Sequence, residues 1–77
     1  MALFASGQAD EAIAQLKRAL EIKSDFPEAY NELGRFFALQ GKTGEAIEYF
    51  RKALWLKPDF PVARQNLNTA LKASKFP

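Results

Sequence analysis

The feature that most constrains this chain is that it repeats itself every 34 residues. Gly7, Glu11, Ala12, Ile13, Ala19, Leu20, Lys23, Asp25, Phe26, Pro27, Ala29 and Leu33 each recur 34 places later. Leu16/Phe50, Lys17/Arg51, Arg18/Lys52 and Ile22/Leu56 recur as similar residues. A period of this length marks a supersecondary unit that buries its apolar face only by stacking on its neighbours.

One whole period, Pro27–Phe60, spells out the unit as PEAYNELGRFFALQGKTGEAIEYFRKALWLKPDF. Two helical patterns flank a break at Gly41–Gly44. Tyr30, Leu33, Gly34 and Phe37 stand at i, i+3, i+4 and i+7, an apolar stripe on the first helix. Ala46, Phe50 and Ala53 make the matching stripe on the second, widened by Ile47 and Leu54. Gly34 on one helix and Ala46 and Ala53 on the other are small residues where two helices need to touch.

This pattern resembles the tetratricopeptide repeat (TPR). The family's aromatic, Leu-Gly and aromatic are met by Tyr30, Leu33, Gly34 and Phe37, and its later Ala, aromatic, Ala and Pro by Ala46, Phe50, Ala53 and Pro58. The 34-residue length is also the family's. The resemblance implies an all-α fold, a right-handed α-solenoid of antiparallel helix pairs. It divides the chain into a partial repeat at 1–26, a complete repeat at 27–60, a capping helix at 61–74 and a tail at 75–77.

In chain order, Met1–Ser6 reads as the tail of a helix whose earlier turns are missing, with Gly7 as the break after it. Asp10–Lys23 is expected as a helix, acidic at its start (Asp10, Glu11) and basic toward its end (Lys17, Arg18, Lys23), the sense that suits the macrodipole. Ala12, Leu16 and Ala19 carry its stripe, flanked by Ile13 and Leu20. Ser24 stands where the family prefers proline. Asp25 and Glu28 have the spacing of a capping box ahead of Pro27. The next helix should end at Gly41 in a left-handed C-cap. Gly44–Lys57 follows, then Pro61–Ser74 and a frayed Lys75–Pro77. On that last helix Arg64 takes the place of Tyr30 and Asn68 that of Gly34. Polar residues there suit the solvated end of a stack. The chain therefore reads as the C-terminal end of a longer array.

Composition narrows the function. There is no cysteine and no histidine, which removes thiolate chemistry, a structural zinc site and the common nucleophile–base pairs. Glu45/Glu48 and Asp10/Glu11 sit on polar helix faces, where structural charge and capping explain them without a general-acid role. No enzyme and no cofactor are indicated. Basic residues dominate from Phe50 onward (Arg51, Lys52, Lys57, Arg64, Lys72, Lys75 against Asp59), but no aromatics interleave as a nucleic-acid stacking platform needs. No apolar run suits a membrane span. MALFASG lacks the features of a signal peptide, so localisation stays open, the cytoplasm by default.

What the resemblance implies is a protein-interaction module whose first helices line a concave groove. Glu28, Asn31, Arg35, Ala38 and Leu39 lie opposite the packing stripe of the complete repeat, Val62, Gln65, Thr69 and Lys72 on the same face of the last helix, and Phe4 on the stub. They offer amide, charged and apolar groups to a peptide or protein ligand. A clamp for a C-terminal carboxylate would need Asn before the Leu of the Leu-Gly pair. Glu32 stands there instead and would repel one, and Asn66 meets the requirement only on the last helix. Trp55, where the preceding repeat has Glu21, is a possible convex contact. It reads either as a partner's anchor or as a ring lying across Lys and Arg stems or simply exposed. Phe36 reads as inter-repeat packing. Ile13, Leu16 and Leu20 at the truncated N-terminal end allow homo-oligomerisation as an alternative. An appendage of a larger enzyme or membrane protein, or an engineered scaffold, would read the same.

Overall fold

A computed structural model describes residues 6–74, and the stub, Phe4 and Lys75–Pro77 lie outside that range, apart from Ser6. Four helices follow one another: α1 Ser6–Ile22, α2 Pro27–Leu39, α3 Thr43–Leu56 and α4 Pro61–Ser74. Among the described residues there is no strand, and the protein is all-α. Short turns fold each helix back against its predecessor. Helix α2 packs between α1 and α3, while α4 packs on α3 and touches α2. The result is a slab of 34 × 31 × 16 Å, so both of its broad faces meet solvent.

The core is the interface of the two predicted stripes. Leu33, Ala46 and Ala53 are fully buried, and Phe50 and Phe37 nearly so. A Cβ added at Gly34 would stand under 3.0 Å from three atoms of the Phe50 ring. The missing side chain is therefore the space that Phe50 occupies. Tyr49, which lies outside the predicted stripes, also packs inward: its ring stacks on Phe37 at 5.3 Å and 8° and on Tyr30 at 6.2 Å and 23°.

The helix ends correct several expectations. Gly41 has φ 81°, and its N–H bonds to Ala38 O at 3.0 Å while Lys42 N–H bonds to Phe37 O at 2.9 Å. That pair of bonds is a Schellman closure, which ends α2 as anticipated. Gly7 does not repeat this behaviour. It lies within the first turn of α1 and its φ is not positive. Its backbone is helical, so the chain runs straight on through it and no break forms there. Because α1 begins at Ser6, Asp10 and Glu11 fall beyond its first turn, too far in for the terminal dipole. Asp10 Oδ1 instead accepts from Gln40 Nε2 at 2.8 Å, tying α1 to the end of α2. The capping box at Asp25 does not form. Phe26 is the N-cap, its side chain makes no cap bond, and its carbonyl accepts from Ala29 and Tyr30 N–H at 3.1 and 3.3 Å. Pro27 at the first helical position fixes the start instead.

What recurs at the two long turns is a cation over a ring. Lys23 Nζ lies 5.8 Å from the centroid of Phe26, and Lys57 Nζ lies 4.8 Å from that of Phe60. On α4, Ala63 and Ala70 face inward, whereas Arg64 and Asn68 are exposed. Arg64 does more than meet water: its Nη2 donates to Pro58 O at 3.0 Å, satisfying a carbonyl just past the end of α3.

Candidate interaction groove

Helices α2 and α4 are the first helices of successive repeats, and a cleft of about 260 Å³ opens between them. Arg35, Ala38 and Leu39 line it from α2, Asn66, Thr69 and Ala70 from α4, and Phe50 from α3. The buried Phe50 and Ala70 give it an apolar base, while Leu39 stands 61% exposed at its side. Arg35 Nη1 is held by Glu32 Oε1 at 2.6 Å, with both side chains open to solvent. This pair lies three residues apart on one helix and adds only about 0.5 kcal/mol or less to stability. It also sets a carboxylate beside the cleft's one cation, an arrangement unsuited to clamping a second carboxylate.

Of the residues predicted for this groove, Arg35, Ala38, Leu39 and Thr69 line the cleft. Asn31 does not. It is buried, and its Oδ1 accepts from Asn66 Nδ2 at 3.0 Å, a bond between α2 and α4. Burial of that amide is affordable because it is paired. Glu28 lies apart, with Oε2 3.6 Å from Lys57 Nζ. Val62, Gln65 and Lys72 are exposed on α4 without lining the cleft. Asn66 was weighed above only for a clamp, yet it lines the groove and is oriented by Asn31. The signal for it was present: Asn66 lies 34 residues after Glu32, which flanks Arg35 on α2.

On other faces, Phe36 packs against the core as anticipated and shares a second cleft, about 370 Å³, with Ala12, Gln15, Leu16 and Glu32. Trp55 is 83% exposed, and among the described residues no Lys or Arg nitrogen lies over its ring. Several basic groups of the C-terminal half are engaged within the chain. Lys57 contacts Phe60 and Glu28, Arg64 bonds Pro58 O, and Lys52 Nζ sits 5.6 Å from the Tyr30 centroid. Glu45 and Glu48 border a shallow depression with Tyr49 and Lys52. No described helix is long and apolar enough to cross a membrane.

Antiparallel helix pairs, an internal period and a groove between equivalent helices define a helical-repeat scaffold. Residues 2–41 match the family model described as TPR repeat, and residues 27–60 the one described as Tetratricopeptide repeat. The chain belongs to the tetratricopeptide repeat family. The two matches overlap on α2, the helix that is packed on both sides. TPR repeats generally mediate protein–protein interaction and typically bind protein partners. The family is generally non-enzymatic. No curated protein matches the chain.

Proposed function

We propose that this chain is a protein-interaction module that holds an extended or helical segment of a partner in the cleft between α2 and α4. It works by binding, without catalysis. The observation that carries the reading is the cleft itself: an apolar base of Phe50 and Ala70, an exposed Ala38 and Leu39 at its side, and Arg35, Asn66 and Thr69 as polar groups. Covering the open part of Leu39 and its neighbours supplies about 1–2 kcal/mol, and the polar groups set register and direction. The Asn31–Asn66 bond supports the same reading, because it orients one of those groups before any ligand arrives. Engagement of Lys57 and Arg64 within the chain favours a protein ligand over nucleic acid. A peptide array or pull-down tests the groove. Arg35→Ala with Leu39→Ser should lose captured partners that the unaltered protein retains, and identical capture by both would refute the groove.

A second reading is self-association, and one observation favours it. On α1, Ala12, Leu16 and Ala19 are only half-buried, whereas their counterparts 34 residues later, Ala46, Phe50 and Ala53, are buried. A helix from another copy laid there would complete the same packing. Light scattering over a concentration series decides it: mass should rise with concentration, and a constant monomer mass at high concentration rules it out.

A further inference from the structure

The edge of the slab where α3 ends carries another cleft, apart from the groove. A cleft of about 220 Å³ is lined there by Ser24, Tyr30, Lys52, Trp55 and Leu56. The Tyr30 ring is fixed by stacking on Tyr49 at 6.2 Å and by the Lys52 ammonium 5.6 Å from its centroid. Trp55 stands 83% exposed beside it. Trp55 is not framework, because the same place in the preceding repeat is held by Glu21, on a helix that packs against α2 all the same. Lys52 is the one charged residue lining the cleft. One turn before Trp55 on the same helix, Arg51 adds a second exposed cation. Among the described residues, no carboxylate lies within 4.0 Å of either one.

We propose that this cleft binds an acidic protein segment carrying a bulky aliphatic side chain. The aliphatic group lies between the Trp55 ring and Tyr30, and a neighbouring carboxylate meets Lys52 and Arg51. The charge of the lining selects this ligand, since an apolar wall beside unpaired cations favours an apolar group flanked by anions. Glu48 and Glu45, about one and two turns before Lys52, border a separate depression with Lys52 and Tyr49 and bound the basic ground on that side.

Trp55 is the sole tryptophan of the chain, so its intrinsic fluorescence reports on this cleft directly. The probe is an acetylated, amidated hexapeptide with two leucines flanked by aspartate and glutamate, and its control carries lysines in place of the acids. The acidic peptide should give a saturable blue shift that weakens with added salt, and the lysine control should give none. Lys52→Glu should weaken binding about tenfold, one rung of the affinity scale. Trp55→Ala, followed by anisotropy of a labelled peptide, should weaken it about thirtyfold. Leu39→Asp, in the groove, should leave it unchanged, which separates failure here from failure of the groove reading. Helical circular dichroism confirms that each variant folds. No saturable shift at millimolar peptide, equal binding by Lys52→Glu, or loss of binding in Leu39→Asp would each overturn the assignment.

Discussion

Helices α2 and α4 hold equivalent places in the repeat, and they differ at the residues that matter. Tyr30, Leu33, Gly34 and Phe37 on α2 become Arg64, Leu67, Asn68 and Leu71 on α4. Helix α2 is packed by α1 on one side and α3 on the other, whereas α4 rests mainly on α3. Accordingly Leu33 is fully buried and Leu67 half-buried, while Gly34 is buried and Asn68 exposed. The lesson is that a repeat position carries no fixed burial. Each position takes the burial that its neighbours impose, and the chemistry of the residue follows.

The sharpest way to break this comparison is to truncate both leucines. Leu33→Ala should cost about 3–4 kcal/mol and Leu67→Ala about 1 kcal/mol, the difference between a closed cavity and a site that water can reach. Whole-domain stability scales at about 0.05–0.15 kcal/mol per residue, or roughly 4–12 kcal/mol here, so the first change should remove at least about a quarter of that. Urea denaturation followed by circular dichroism measures both. Equal losses would mean that α4 is as deeply packed as α2. The next test reverses sign. Gly34→Ala gains about 1 kcal/mol of helix propensity but drives a methyl into the confined Phe50 ring, for a net loss of about 1–2 kcal/mol. Asn68→Ala meets only solvent and should stabilise by a few tenths of a kcal/mol, about the propensity difference. A smaller contrast separates Gly41, at a turn, from its counterpart Gly7, within helix α1. Gly41→Ala must hold a side chain at φ 81°, at a cost of about 1 kcal/mol. Gly7→Ala should be neutral or slightly stabilising, since nothing lies within 4 Å of its added Cβ.

The frame of the fold was legible because it rests on periodicity. Leu33, Gly34, Phe37, Ala46, Phe50 and Ala53 were all placed in the core from spacing alone, and α4 runs over the residues anticipated. Helix ends were less legible, because caps are chosen by competition among nearby groups. Asp25 and Glu28 had the right spacing for a box, yet Pro27 at the first helical position made Phe26 the cap residue. The groove was half legible. A helical wheel puts Asn31 on the same face as Arg35, but it cannot show that α4 comes close enough to bury Asn31 against Asn66. Tyr49 went unread for the same reason: its burial depends on the rings of Tyr30 and Phe37 reaching across from α2.

The smallest effect distinguishes the two turns that lead into α2 and α4. Each carries Lys-x-x-Phe-Pro, and each puts an ammonium over a phenyl ring, at 5.8 Å for Lys23 and 4.8 Å for Lys57. Lys57 is also 3.6 Å from Glu28, a contact that crosses from the end of α3 to the start of α2. Exposed cation–π contacts contribute about 0.5–1 kcal/mol, and an exposed ion pair less once screened by salt. Lys57→Met keeps the aliphatic stem and removes the charge, so it should destabilise by about 0.5–1 kcal/mol, while the longer Lys23 contact should cost about half of that when changed in the same way. Raising salt should narrow the gap, because the Glu28 pair is lost and ring contacts are screened less. If the two variants lose equal stability at every salt concentration, Glu28 contributes nothing and the turns are equivalent. If only Lys57→Met is costly, α4 is held by its entry turn, which compensates for the second packing neighbour that α2 has and α4, among the described residues, does not.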